Sequence, residues 1–206
     1  MKVLLINGSP HEAGCTYTAL SEAAAALREC GVETEIYQVG KSFVRGCIGC
    51  GGCAKLGRCV FQDDTVNRAI EAAKEADGFV FGTPVHFAAA SGAITSFLDR
   101  FFMACPNLAY KPGAAVASCR RGGASAALDQ INKYFTIRNM PVVSSNYWNM
   151  VHGNTPEEVR RDEEGMQTMR MLGRNMAWML KCIEAGAAAG IAIPKQEAKI
   201  KTNFIR

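Results

Sequence analysis

The feature that most constrains this chain is a repeated pattern: a short apolar run, a break rich in Gly, Pro or Asn, then a helical stretch. Lys2 to Ile6 is a nearly continuous apolar run, as expected of a strand buried on both faces. Asn7-Gly8-Ser9-Pro10 ends it, and Thr16 to Cys30 reads as an Ala- and Leu-rich helix closed by Gly31. Glu33 to Gln38 alternates like a more exposed strand, and a long Gly- and Cys-rich loop runs from Gly40 to Phe61. Asp63 or Asp64 is placed to cap a helix reaching about Glu75. Further strands are expected at Gly78–Gly82, Ala114–Ser118 and Pro141–Ser144, with helices at Ser91–Cys105 and Ala124–Arg138. Thr83 to Phe87 reads as a loop. Thr155-Pro156-Glu157-Glu158 starts a helix expected to reach about Cys182, and residues 184–206 show no clear period.

Strands alternating with helices imply an α/β domain over residues 1–183, with a parallel sheet between two helical layers. The tail, residues 184–206, is a candidate to pack on a partner subunit. Hydrophobic residues at 49% and charged residues at 20% fit a globular chain and exclude a disordered one. A net charge of +4 does not indicate nucleic-acid binding, though it suits an anionic ligand. No stretch approaches a membrane span and no secretory apolar region is evident, so the cytoplasm is the expected location. The 9 cysteines are an odd number with four packed between Cys47 and Cys59, a poor disulfide framework.

Ligands of such sheets bind beyond the carboxyl ends of the strands, where the strand order reverses. The loops after the first, third and fourth strands therefore matter most. In the first, Gly8 to Thr18 joins a buried strand to a helix start, a place suited to phosphate. Ser9, Thr16 and Thr18 add hydroxyls. The loop lacks both G-x-G-x-x-G and G-x-x-x-x-G-K-[ST], which disfavours a dinucleotide fold site and a nucleoside triphosphatase. A hydroxyl-lined loop without Lys fits a terminal monophosphate, as on FMN. The competing reading is that Ser9 and Thr16 merely cap a helix.

After the third strand, Pro84-Val85-His86-Phe87 offers an apolar wall for a flat ring, although Phe87 could equally be a core aromatic. His86 is a surface side chain, a stacking group or a proton donor. After the fourth, Ser118-Cys119-Arg120-Arg121-Gly122-Gly123 lets the backbone approach a ligand closely. Arg120 or Arg121 would stabilise a reduced flavin or meet a nicotinamide phosphate; otherwise the segment is a solvated turn.

Cys47-x2-Cys50-x2-Cys53-x5-Cys59 is the sharpest local signal. Thiolates at this spacing in a Gly-rich loop can wrap a cubane cluster. Structural zinc more usually pairs two knuckles farther apart. The remaining alternatives are free thiols or a redox-active disulfide pair.

The opening Val-Leu-Leu-Ile-Asn-Gly-Ser-Pro, then Gly14-Cys15-Thr16, Gly82 to Phe87 and Phe97-Leu98-Asp99-Arg100 together resemble the NADPH-dependent FMN reductase and iron–sulfur flavoprotein superfamily. The likeness is strongest from Met1 to Arg121. It implies a flavodoxin-like three-layer sandwich with a five-stranded parallel sheet in the order 2-1-3-4-5. It implies that Ser9, Cys15 and Thr16 hold the FMN phosphate, with His11 and Tyr17 beside them, and that Pro84, Val85, His86 and Phe87 line the ring. The family more often has Arg at position 11 and Asn at position 15, so His11 and Cys15 remove a fixed charge and an amide donor. The resemblance further implies a [4Fe–4S] cluster on Cys47, Cys50, Cys53 and Cys59. Asp99-Arg100 reads as a structural pair, capping or at an interface.

Asn146 to Gly153 is expected to follow the fifth strand, either covering a flavin or closing the core. The methionines of the last helix, Met166 to Met179, read as packing. By resemblance, the subunits form a homodimer or a dimer of dimers. The expected activity is an FMN-dependent oxidoreductase that takes a hydride from NAD(P)H and passes electrons to a small-molecule acceptor, without an acid–base dyad. The alternative is an iron–sulfur flavoprotein carrying electrons between protein partners.

Overall fold

The computed structural model describes residues 1–202 and Phe204. In chain order the elements are β1 (Lys2–Asn7), α1 (Cys15–Glu29), β2 (Glu33–Gln38), α2 (Cys53–Leu56), α3 (Val66–Lys74), β3 (Gly78–His86), β4 (Ala89–Ala90), α4 (Gly92–Ala104), β5 (Gly113–Cys119), α5 (Ala124–Ile137), β6 (Met150–His152), α6 (Pro156–Arg161) and α7 (Glu163–Ala188). The sheet runs β2-β1-β3-β5-β6, and β4 pairs with β3 off that path. All neighbours are parallel except the β3–β4 hairpin. With the hairpin set aside, this is the expected 2-1-3-4-5 order.

The apolar runs of β1, β3 and β5 are buried on both faces, so alternate residues enter different cores. Leu4, Ile6, Phe79, Phe81, Ala115 and Ala117 pack with α3, α4 and α5, where Phe97, Phe101 and Phe135 add an aromatic cluster. Val3, Leu5, Val80, Ala114 and Val116 face α1 and α7, whose Met169 and Met176 fill the second core as packing residues. A side chain at Gly173 would lie 2.5 Å from the Ala23 carbonyl, so glycine sets how closely α7 approaches α1.

Three expectations are corrected. The fifth strand is not Pro141–Ser144. Val142 makes only an isolated parallel bridge to Gly113, and regular pairing resumes at Met150–His152 against Ala117–Cys119. Pro141 has no N–H to donate, and Ser144-Ser145-Asn146 favours turns, so the edge strand is interrupted. The helix expected from Thr155 to Cys182 breaks at Asp162, whose ψ of 81° is not helical and whose carboxylate caps Gly165 N–H at 3.0 Å.

The third correction concerns Thr83 to Phe87. β3 continues through Pro84 to His86, and Phe87-Ala88 forms a two-residue hairpin turn into β4. β1 pairs only as far as Gly82, so Pro84 needs no donor on that side. Phe87 and Ala88 both have positive φ (49° and 60°), the primed-turn geometry that suits a tight hairpin but strains residues with a Cβ.

Candidate functional site

The carboxyl ends of β1, β3 and β5 bring the three singled-out loops together. Gly8 N–H donates to the Gly82 carbonyl at 2.9 Å. Thr16 Oγ1 and Ser118 Oγ share a hydrogen bond of 2.8 Å, and both residues are buried. A Cβ at Gly123 would lie 2.6 Å from Ala88 Cα and 2.9 Å from Val85 Cγ1, and its φ is +91°. Only glycine lets the fourth-strand loop meet the hairpin so closely.

The first loop is curled by polar contacts. Asn7 Oδ1 accepts from Ser9 N–H at 3.1 Å, Ser9 Oγ accepts from His11 N–H at 3.1 Å, and Gln38 Nε2 donates to the Ser9 carbonyl at 2.6 Å. Neither Ser9 nor Thr16 caps α1. Its N-cap is Gly14, and no side chain bonds the first-turn N–H groups. A 15-residue helix thus starts with donors left for something other than the chain's own side chains. Cys15 is half-buried with its thiol toward the Gly153 carbonyl, and burial pushes that thiol's pKa up. A neutral thiol does not repel an anion here.

His11 and Tyr17 are exposed at the rim of this loop. Pro84 and Val85 are half-buried, His86 is exposed, and Phe87 is fully exposed, so it is not a core aromatic. Arg120, Arg121 and Gly122 are exposed beside half-buried Gly123. Tyr147 and Trp148 do not close the core either. They pack edge-to-face at 5.0 Å and, with Leu128 and Asp129 of α5, line a cavity of about 320 Å³. Sequence reasoning missed Asn7 and Gln38, which shape the first loop. A buried Asn ending an apolar strand is the signal that points to such a role.

The second cluster lies in the loop between β2 and α3. Cys47, Cys50, Cys53 and Cys59 all line one small, mainly apolar pocket, with Met103 and Ala104 of α4. Cys47 and Cys50 are exposed, Cys53 is half-buried and Cys59 is buried. Among the described residues, no three His, Cys, Asp or Glu side chains converge closely enough to hold a metal ion. The fit to a cluster lies instead in four thiols on one pocket and a backbone freed by glycines, with positive φ at Gly49, Gly51 and Gly57. N–H donors to sulfur are already present: Gly49 N–H to Cys47 at 3.5 Å and Arg100 Nε to Cys59 at 3.1 Å.

Asp99 and Arg100 do not pair with each other. Asp99 accepts from the Tyr134 hydroxyl, whereas buried Arg100 forks onto Asp64. Asp64 also accepts from Val66 N–H at 3.1 Å at the start of α3. Burial alone would lower the Arg100 pKa, but the bonds to Asp64 and Cys59 outweigh it and hold it raised. The sequence signal was available: a cation inside Phe97-Leu98-Asp99-Arg100-Phe101-Phe102 sits amid apolar residues and so needs buried partners.

Residues 1–155 match the NADPH-dependent FMN reductase family. The chain belongs to this family. As an FMN reductase family member it is a flavin-dependent oxidoreductase. It is 35% identical over 193 residues to an iron–sulfur flavoprotein of Methanocaldococcus jannaschii, covering 89% of this chain and 100% of that one. It is 29% identical over 198 residues to an iron–sulfur flavoprotein of Archaeoglobus fulgidus, covering 87% and 97%. Its fold is flavodoxin-like: a flavodoxin from the domain Archaea superposes with a TM-score of 0.61 at 15% identity, over 88% of this chain and 99% of that one. No helix among the described residues of this FMN reductase homologue is long and apolar enough to cross a membrane.

Proposed function

We propose that FMN binds across the three converging loops, that NAD(P)H reduces it, and that a [4Fe–4S] cluster on the four loop cysteines passes electrons onward singly. The observation that supports the flavin site most is the start of α1. Its N–H groups lack a side-chain cap and lie beside Ser9, Cys15 and Thr16, a donor set that fits a phosphate monoester. His11 and Tyr17 border that end. Pro84, Val85, His86 and Phe87 supply the apolar wall for the ring, and the Ser118, Gly122 and Gly123 backbone closes the opposite side. Arg120 and Arg121 supply positive charge for a reduced, anionic ring or for a nicotinamide phosphate. When bound, FMN supplies the hydride-accepting chemistry, and the protein supplies position and electrostatics.

The cluster is favoured over bare thiols because all four cysteines share one pocket and the relatives are themselves named iron–sulfur flavoproteins. The final acceptor is then a one-electron partner, small molecule or protein, rather than free flavin. Exposed Trp178, Ile183 and Ile191 on α7 and beyond suit burial against a second copy, giving a homodimer.

The phosphate role is tested by titrating apoprotein with FMN and with riboflavin. Fluorescence quenching is expected to show FMN binding at least about 100-fold more tightly, near 2.7 kcal/mol. Equal affinity would contradict a phosphate site at α1.

A further inference from the structure

Arg100 is a costly residue to bury. Its side chain and that of Asp64 are each 1% exposed. A guanidinium is tolerated there only if its donors are met. Its two terminal nitrogens hold Asp64, and they also reach the carbonyls of Arg45 and Phe61. The ion pair is complete without Nε. Nε instead points at sulfur, 3.1 Å from Cys59 Sγ. Arg100 also lines the pocket shared by the four cysteines, and its guanidinium sits 5.3 Å from the centre of the Phe61 ring.

Cys59 is fixed from its other side as well. Its N–H donates to Asn67 Oδ1 at 2.9 Å, and Asn67 Nδ2 donates back to its carbonyl at 3.0 Å. Among the described residues, no side chain clamps the backbone of Cys47, Cys50 or Cys53 in this way; Cys47 and Cys50 lie in a loop with positive φ at Gly49 and Gly51, and Cys53 opens the short α2. The cysteines therefore divide into one buried, preset sulfur and three adaptable ones nearer the surface. Hydrogen bonds to ligand sulfur stabilise the more negative, reduced state of a cluster and raise its potential. A donor that also carries charge strengthens that effect.

We infer that Arg100 is a positioning residue for the cluster on Cys47, Cys50, Cys53 and Cys59, and that its Nε–H bond to the Cys59 sulfur raises the cluster's reduction potential. The inference rests on the cluster reading given above. It assigns Arg100 no contact with substrate or flavin.

The test is a redox titration of anaerobically purified, full-length protein, following the cluster by electron paramagnetic resonance. Two variants accompany the wild type. Arg100→Lys keeps a cation for Asp64 but has no Nε fork to serve sulfur at the same time. The double variant Arg100→Met with Asp64→Leu removes the whole ion pair, an exchange that buried pairs often tolerate without loss of stability. Both are expected to retain flavin and to lower the cluster midpoint. At fixed ambient potential, the reduced-to-oxidised ratio should fall about tenfold, near 59 mV for one electron. Variants that stay folded and flavin-bound but lose iron would support the positioning role. Unchanged midpoints in variants that keep full iron and sulfide would overturn the inference alone. Wild type lacking iron and sulfide would overturn the cluster reading, and the inference with it.

Discussion

The hydrogen bond between Thr16, in the first turn of α1, and Ser118, near the end of β5, joins residues 102 apart in sequence, and both are buried. Thr16→Val keeps the shape but leaves Ser118 Oγ without this partner. The expected loss is about 1–3 kcal/mol in urea unfolding. A loss below about 0.5 kcal/mol would mean that Ser118 finds another partner. Cys105 makes a different residue-scale prediction. Burial raises its thiol pKa from 9.0 to about 11. Between these values the unfolded chain releases a proton that the folded chain retains. The Cys105 contribution is therefore fully present below about pH 9 and is lost as pH rises toward about 11. Comparing the pH dependence of unfolding in wild type and Cys105→Ala checks this; identical slopes above pH 9 would contradict it. At this scale the sequence named Ser9, Thr16 and Ser118 as site residues. It did not show that Thr16 and Ser118 bond to each other, because that contact exists only once β1, β3 and β5 lie side by side.

Among elements, the junction of β6, α6 and α7 depends on one side chain. Asp162 accepts from Gly165 N–H at 3.0 Å and from His152 N–H at 2.6 Å, so it starts α7 and holds the end of the edge strand. Asp162→Ala is expected to cost about 1–2 kcal/mol, with faster amide exchange at His152 and in the first turn of α7. Unchanged exchange at His152 would contradict the link. The break at Asp162 was hard to read because Glu157 to Glu164 is equally compatible with one continuous helix. Local pattern resolved the buried strands well, since β1 and β3 carry uninterrupted apolar runs. It failed at the edge, where Pro141 and the polar residues after it leave only a short strand downstream. It also placed the loop boundary too early at Thr83, because Pro84 is tolerated where β1 no longer pairs.

For the whole molecule, the strand order places the two groups of proposed site residues at different ends of α4. Ser91 caps its start and donates to the Gly8 carbonyl at 3.3 Å in the loop after β1, while Arg100, Met103 and Ala104 reach the cysteine pocket. The cysteine motif was plain in the sequence, as was the topology that gathers the three loops. Arg100's contact with Cys59 was not, because residues 41 apart meet only through folding. The proposed sequence of events, hydride to flavin and single electrons through the cluster, requires both centres in one chain. The most direct test is the content of protein purified without oxygen: FMN, iron and acid-labile sulfide measured together. About one FMN with about four iron and four sulfide per chain is the predicted result. FMN without iron and sulfide would contradict the account, leaving a flavin reductase whose loop cysteines are thiols.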